Sequence, residues 1–325
     1  MLDLLIRAGD DVGTGSVVHQ DGLLRSSFRA MGTDVALIGP EGASGFERVA
    51  AHVRGLFDRL ERRFSRFRDD SELSEVNRRA GHWIAVSETF AELLGLALDG
   101  ARRSGGLFDP TVLPALLRAG YDRDFRDLRA LPADGDGDGS DDGPGPTGRW
   151  TDVRVREGRV FVPDGVALDF GGIAKGWAAD LASELTRELP WAVIDAGGDL
   201  RLTGRPPDGG LEVVIDDPDS LGAGVLRLKL ESGALATSSV TFRSWSRGGG
   251  RAHHIIDPRT GSPARSNVLQ ATAWAPDCAE AEIRATWALL RGPAVMRELP
   301  VVLFLDDARV LVGLEPDAAP DRTFA

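Results

Sequence analysis

Residues 168–176 read Leu168-Asp169-Phe170-Gly171-Gly172-Ile173-Ala174-Lys175-Gly176, and this segment is the best guide to the fold and the function. Lys175 is one of two lysines in a chain with 36 arginines, so a lysine here needs a specific reason. A compact ammonium fits against a phosphate or carboxylate where a planar guanidinium does not. Glycines let backbone groups approach a ligand closely. The pattern predicts a strand, a glycine turn and a helix N-terminus, a natural phosphate site; the alternative is a tight turn with a solvated lysine.

The composition indicates a globular protein. A length of 325 residues allows one large domain or two ordinary ones, and 42% hydrophobic residues suffice for a core. The formal net charge of -12 argues against nucleic acid or an anionic membrane surface as the main partner.

Cysteine content and hydropathy indicate where in the cell the protein is expected. Cys278 is the single cysteine, which excludes an intrachain disulfide and a zinc site of several thiolates. The first residues lack a basic region, a long apolar run and a lipobox cysteine, so no secretion signal is predicted. No apolar run is long enough to span a membrane. We therefore expect a cytoplasmic protein without an integral membrane segment.

Hydrophobic periodicity predicts an α+β fold. Helices are predicted over residues 46–64, from the N-cap candidate Ser87 to Gly105-Gly106, over 177–189 and over 280–290. Strands are predicted over 28–37, crossed by the turn-prone Met31-Gly32-Thr33, and over 192–195, 213–215, 226–230, 301–305 and 310–314. With no fixed-period repeat and no convincing linker, we expect one domain over residues 26–318 and a loose N-terminal extension over 1–25.

Residues 134–148 alternate Asp with Gly and then add Pro. This low-complexity composition predicts a mobile surface loop within the domain. A calcium-binding loop is the alternative, but the segment lacks the closing Glu of an EF-hand and a flanking helical pattern.

Four further segments combine turn residues with functional groups, and each alone has an ordinary structural explanation. They are residues 106–111, 196–199, 236–239 and 253–261. Asp-Pro and Pro-x-Thr-Gly sequences are common in turns. Two adjacent histidines on a strand, here His253 and His254, point to opposite faces, so at most one of them faces a given site.

Taken in order, these segments resemble the ApbE family, the FAD:protein FMN transferases. The matching stretches are residues 31–33, 64–67, 71–77, 106–114, 168–180, 195–204, 236–238, 254–263 and 281–292. The resemblance spans residues 28–315 and implies a single T-fold-related α+β domain with mixed sheets and packed helices. It also implies that the protein binds FAD and Mg²⁺, cleaves the pyrophosphate and attaches FMN to a Thr or Ser of an acceptor protein.

The resemblance carries specific residues onto this chain. The positions that match FAD contacts are Met31, Phe67, Leu107, Phe108, Asp109, Asp169, Lys175 and Ile256. Apolar and aromatic groups among them would hold flavin or adenine rings, and the carboxylates would accept hydrogen bonds from the adenine amine or a sugar hydroxyl. His254 matches a position near the pyrophosphate, where it would donate to an oxyanion or act as a general acid or base.

The implied metal site consists of oxygen ligands, which suit Mg²⁺. It comprises the Gly172 carbonyl, Glu282 and Thr286, and the last two lie four residues apart on one helix face. The family usually has Asp where this chain has Glu282, often an acid where it has Ala285, and Gly where it has Ser239. Glu extends the carboxylate by one methylene, which changes the geometry offered to the ion.

The predicted function is therefore Mg²⁺-dependent transfer of FMN from FAD to a separate acceptor protein. Family acceptors carry a Ser/Thr-Gly-Ala-Thr sequence, and Ser232-Gly233-Ala234-Leu235 lacks its threonine, so self-modification is not expected. Two alternatives stay open: an FAD pyrophosphatase that releases FMN and AMP, and a catalytically weak flavin-binding protein.

Overall fold

The computed structural model describes residues 17–20, 22–129, 147–218, 226–247, 250–313 and 322–324. Its helices are α1 (Phe46–Phe64), α2 (Glu72–Arg78), α3 (Glu88–Arg103), α4 (Leu113–Arg118), α5 (Phe125–Arg129), α6 (Ala174–Leu185) and α7 (Cys278–Arg291). None of the helices in these ranges combines the length and apolar character that crossing a membrane requires.

The strands are numbered in chain order. They are β1 (Val17–Gln20), β2 (Leu23–Ala30), β3 (Thr33–Pro40), β4 (Trp83–Ala85), β5 (Arg154–Arg156), β6 (Arg159–Phe161), β7 (Trp191–Ala196), β8 (Leu200–Gly204), β9 (Leu211–Ile215), β10 (Leu226–Leu230), β11 (Ala234–Ser239), β12 (Ser244–Arg247), β13 (Gly250–His253), β14 (Ile256–Asp257), β15 (Ser262–Pro263), β16 (Val268–Ala275), β17 (Val301–Leu305), β18 (Val310–Gly313) and β19 (Arg322–Phe324).

A nine-stranded sheet in the order β1-β2-β3-β7-β8-β11-β16-β17-β18 forms the centre of the fold. Smaller sheets are β19-β10-β9, β4-β6-β5, β12-β13 and β14-β15. The predicted α+β class is confirmed. Every pairing between described strands is antiparallel, so the sheets are not mixed in strand direction.

Both faces of the central sheet are covered. Successive side chains of a strand point to opposite faces. On β3, Val35 and Leu37 belong to the core shared with α1 and α6, whereas Ala36 and Ile38 pack in the core that β9 and β10 contribute to. All four side chains are buried, which explains why the segment reads as a nearly continuous apolar run.

Several predicted elements have the expected bounds. The helix over 46–64 is confirmed, Ser87 caps α3 by accepting the Phe90 N–H at 3.1 Å, and the C-terminal hairpin is present as β17 and β18. The predicted strand over 28–37 is instead two strands, β2 and β3, joined by Met31 and Gly32 with φ of 53° and 69°. Two consecutive left-handed residues are the signature of a two-residue hairpin turn.

Other predictions need correction or lie outside the described residues. No strand precedes the glycine turn; the Leu168 backbone bonds instead to the side-chain amide of Asn77, at 2.7 and 2.9 Å. The α6 helix begins at Ala174 and ends at Leu185, earlier than predicted. Residues 1–16 and 21 of the predicted extension, and 134–146 of the predicted loop, are not described. Residues 17–20 and 23–25 lie in strands.

Helices α6 and α7 approach each other closely at their N-terminal halves. The Asp180 carboxylate of α6 accepts the N–H groups of Cys278 and Ala279, at 2.8 and 2.9 Å, at the start of α7. These donors have no intrahelical partner, so a carboxylate from the neighbouring helix satisfies them and complements the helix dipole. A Cβ on Gly176 would lie 2.5 Å from the Cys278 carbonyl oxygen. The two backbones can be this close only because residue 176 is glycine.

We expect Gly176→Ala to destabilise the fold by about 1–3 kcal/mol, because backbone atoms of α7 cannot move aside without shifting the helix. The matched control is Gly95→Ala in the interior of α3, where a Cβ would meet no atom within 4 Å. That change should stabilise by about 0.5–1 kcal/mol, since alanine favours a helix. Urea unfolding of both variants measures the difference. Equal stability of the two would contradict the close helix contact.

Candidate functional site

One cavity of about 1120 Å³ brings the sequence-predicted site residues together. Its wall includes all twelve of them, namely Met31, Phe67, Leu107, Phe108, Asp109, Asp169, Gly172, Lys175, His254, Ile256, Glu282 and Thr286. They come from the β2–β3 turn, the segments after α1 and α3, the glycine turn and the first turn of α6, the β13–β14 region and α7. The structure therefore places all of them on the wall of one cavity, while their individual roles stay predictions.

Lys175 contacts two buried carboxylates at the floor of this cavity. Its Nζ lies 3.0 Å from Asp199 Oδ2 and forms an ion pair with Glu282 Oε1. The other Glu282 oxygen accepts the Gly176 N–H at 2.9 Å, in the first turn of α6. The helix N-terminus that the sequence predicts as a phosphate site thus holds a carboxylate of α7, which serves as its anion.

The charges in this cluster do not cancel. Burial by itself lowers the pKa of Lys175, but the carboxylates of Asp199 and Glu282 more than reverse this effect and raise it. Burial raises the pKa of Glu282, and the adjacent ammonium opposes that rise. With the ion pair formed, two carboxylates face one ammonium, so a negative charge remains to attract a further cation.

The residues predicted to hold a metal present oxygen donors to the cavity. Thr286 Oγ1 lies one helical turn beyond Glu282 and 3.1 Å from Ser238 Oγ. Among the described residues, no three His, Cys, Asp or Glu side chains are grouped to hold a metal. A cation here would rely on few protein oxygens plus oxygens of the substrate, which is how proteins commonly bind Mg²⁺. The hard-oxygen donors and the residual negative charge fit such an ion.

His254 is a neutral imidazole on the cavity wall. Burial lowers its pKa well below the usual value, and the positive charge of Arg243 lowers it further. The ring Nδ1 lies 3.4 Å from the Arg243 carbonyl oxygen, which can only accept, so this contact assigns the proton to Nδ1. Nε2 then keeps its lone pair and can act as a base. His253, by contrast, places Nε2 3.0 Å from the Ala264 carbonyl oxygen.

The apolar part of the cavity combines exposed and buried groups. Phe67 is 41% exposed, an unusual fraction for a phenylalanine, and the Arg66 guanidinium lies 4.1 Å from its ring centroid. Leu107, Phe108 and Ile256 are buried in the wall. Met31 has a φ of 53°, a left-handed conformation that is costly for a residue with a side chain and typical of functional turns.

Asp109 and Asp169 differ in their surroundings. Asp109 Oδ1 accepts the Thr111 N–H at 2.7 Å and the Thr111 hydroxyl at 2.6 Å, whereas the buried Oδ2 has no hydrogen-bond partner among the described residues. Burial raises the pKa of Asp109 to about 6, although both Thr111 bonds oppose the shift. Asp169 lies 3.4 Å from Arg66 Nε and accepts the Gly171 N–H at 3.3 Å. Both can therefore accept hydrogen bonds from a ligand.

Sequence reasoning left some cavity residues without a role. Asp199 and Ser238 stand in segments it singled out, yet nothing in those segments indicated contacts with Lys175 and Thr286. Arg66 stands in the matching stretch 64–67 and Arg243 stands outside every such stretch, and neither was given a role, because single arginines are not distinctive in an arginine-rich chain. Only the folded geometry identifies them as part of the cavity wall.

Comparisons with known proteins agree with this geometry. The sequence model of the ApbE family matches residues 31–301. The chain is 32% identical to a protein named FAD:protein FMN transferase from Treponema pallidum, over 72% of this chain and 70% of the relative. A Klebsiella pneumoniae protein of the same name is 27% identical, over 85% and 82%.

A similar solved structure is that of the ApbE protein from Thermotoga maritima. It superposes with a TM-score of 0.78 and 26% identity, and the match covers 90% of this chain and 97% of that protein. The family match over most of the chain and this shared fold lead to one conclusion: the chain belongs to the ApbE family.

Proposed function

We propose that this protein is an FAD:protein FMN transferase, which moves FMN from FAD to a hydroxyl group of an acceptor protein and releases AMP. The observation that carries the proposal is the single cavity, which joins a neutral histidine, a charged Lys-Asp-Glu cluster and an aromatic wall. Similar proteins are named for this reaction. The volume of this cavity, about 1120 Å³, lies at the large end of the range for ligand sites, as a dinucleotide requires.

The rings of FAD bind against the apolar wall, where Phe67 and Met31 offer flat and polarizable surfaces. Asp109 and Asp169 accept hydrogen bonds from the adenine amine or from sugar hydroxyls. This arrangement leaves the pyrophosphate toward the polar floor, which Lys175 and His254 also line. The substrate is thereby oriented before any bond changes, and such positioning accounts for much of the catalysis of phosphoryl transfer.

His254 acts as the general base. Its free Nε2 accepts the proton of the acceptor hydroxyl while that oxygen attacks the phosphorus of the FMN half. A new P–O bond joins the acceptor to FMN, the P–O bond of the pyrophosphate breaks, and AMP leaves with the bonding electron pair. A low imidazole pKa keeps His254 unprotonated at neutral pH and therefore ready to accept the proton.

Glu282, Thr286 and the Gly172 carbonyl would hold Mg²⁺ at this site. When bound, the ion would neutralise phosphate charge and stabilise the leaving AMP. Because Lys175 is already paired with Glu282, the ammonium and the metal share one carboxylate. Asp199 keeps a second contact to Lys175 at 3.0 Å, so the lysine stays compensated when Glu282 is shared.

The test is incubation with FAD, Mg²⁺ and an acceptor bearing the Ser/Thr-Gly-Ala-Thr sequence. Flavin fluorescence on the acceptor in a denaturing gel, with one AMP released per flavin, is the expected result. A Thr→Ala acceptor is the control and should stay unlabelled. FMN and AMP released equally with and without acceptor would indicate an FAD pyrophosphatase instead. Bound FAD without either product would indicate a flavin-binding protein.

Glu282→Gln should abolish Mg²⁺-dependent turnover and leave metal-free FAD binding largely intact, because it removes charge from the metal site but not from the ring-binding wall. Glu282→Asp should retain activity, since it keeps the charge. Calorimetry with Mg²⁺ and with FAD separates the two effects. The matched control is Glu280→Gln on the same helix, whose carboxylate pairs with Arg103 and Arg284 and does not line the cavity. Unchanged magnesium dependence in Glu282→Gln would refute the metal role.

Asp109→Asn should raise stability near pH 7.5 and weaken FAD binding. The folded-state pKa of about 6 exceeds the ordinary 3.8, so the folded state favours the protonated form. Its contribution to stability is greatest below about pH 4 and falls as pH rises through 6, by about 3 kcal/mol at most. The gain of the Asn variant should therefore shrink toward pH 4.5 in urea unfolding. Exposed Asp69→Asn is the control, with little effect expected at either pH.

A further inference from the structure

The cations on the cavity wall differ in whether a carboxylate already pairs with them. Arg29, Arg66 and Arg68 contact Asp34, Asp169 and Asp70. Arg25 donates to the Ser27 hydroxyl, and its charge acts on the buried carboxylate of Asp195, whose pKa it lowers against the effect of burial. Lys175 is bound by two carboxylates. A cation that is already paired has less charge to offer an incoming anion. The pyrophosphate of FAD carries two negative charges, so another group must supply part of their compensation.

Arg243 is such a group. Among the described residues its guanidinium makes no hydrogen bond or ion pair with a carboxylate, and it lines the cavity half-buried. It is near the reacting groups, because its charge lowers the pKa of His254 and acts in the same direction on Lys175. Its main chain is held beside that of the histidine, because the Arg243 carbonyl accepts the His254 backbone N–H at 3.3 Å.

We propose that Arg243 binds the pyrophosphate of FAD beside His254 and compensates the negative charge on the phosphoryl oxygens during FMN transfer. This inference rests on the proposed function, to which it adds a phosphate-binding residue. A guanidinium presents two parallel N–H donors that match two phosphate oxygens, a geometry that an ammonium cannot provide. Donors aimed at developing charge in a partly dry site are an effective form of transition-state stabilisation.

The division of labour between the two cations follows from their partners. Lys175 forms ion pairs with Glu282 and Asp199, so its charge is compensated within the protein. Arg243 has no carboxylate partner among the described residues and is therefore available to the substrate. A guanidinium that has no carboxylate partner among the described residues would otherwise only lower the pKa of His254, so a bound anion gives a physical reason for its presence.

The test compares three ligands that share the flavin ring and differ in phosphate: riboflavin, FMN and FAD. Arg243→Gln should weaken FAD binding roughly 10- to 100-fold and leave riboflavin affinity unchanged, with FMN between them. Arg243→Lys should recover only part of the loss, since it keeps the charge without the fork. Thermal stability should be unchanged, because the guanidinium contacts no protein partner in the described residues.

The matched control is Arg126→Gln. Arg126 also lines the cavity and has no side-chain partner among the described residues, but it is exposed, whereas Arg243 is half-buried beside His254. The Arg126→Gln variant should bind all three ligands as the wild type does. An equal loss in Arg126→Gln would mean a diffuse positive field rather than a specific contact. Wild-type FAD affinity in Arg243→Gln, or an equal loss for riboflavin, would overturn the proposal.

The outcomes also separate this inference from the function. If the wild type binds FAD with the predicted dependence on Arg243 but labels no acceptor, the phosphate contact holds and the transferase function fails. If it labels the acceptor and Arg243→Gln does so at the same kcat and FAD affinity, the function holds and the role of Arg243 fails. A wild type that binds none of the three flavins would contradict both.

Discussion

The site depends on reciprocal hydrogen bonds between α6 and α7, in which a carboxylate of each helix accepts N–H groups at the start of the other. Glu282 of α7 satisfies the Gly176 N–H at the start of α6, and Asp180 of α6 satisfies two N–H groups at the start of α7. Each helix therefore supplies the anion that the positive end of the other requires. Gly176 permits the close approach that both contacts need. The glycine turn, Lys175 and Thr286 take their positions from this pairing.

The same pairing sets the electrostatics of the cavity. A buried ion pair gives little net stability by itself, because desolvation offsets the Coulomb attraction, and its value lies in fixing positions. Here it leaves excess negative charge at the floor, suited to a divalent cation, and occupies the charge of Lys175. Arg243, which is positively charged, and His254, which is neutral, also line the cavity. The proposed Mg²⁺ and the pyrophosphate of FAD would therefore meet groups of opposite charge in the same cavity.

The sequence predicts the parts of this protein that depend on local rules. Apolar spacing identifies α1, Ser87 marks the start of α3, and the scarcity of lysine singles out Lys175. Local rules miss what tertiary contacts decide. Asn77 replaces the expected strand before the glycine turn, and its amide lies 91 residues from the backbone that it holds. Apart from Lys175, the site residues came from resemblance to a family, and the meeting of all twelve in one cavity is a property that spacing alone does not predict.

The separation along the chain between the partners in this cluster has a consequence for biosynthesis. Lys175 and Glu282 are 107 residues apart, and Cys278 follows its cap, Asp180, by 98. When α6 has emerged from the ribosome, α7 has not yet been made. Lys175 then has no Glu282 to pair with, and the first turn of α6 has no carboxylate cap. Substrate binding must therefore await almost complete translation. A polypeptide truncated before α7 would lack the Glu282 carboxylate that pairs with Lys175 and accepts the Gly176 N–H.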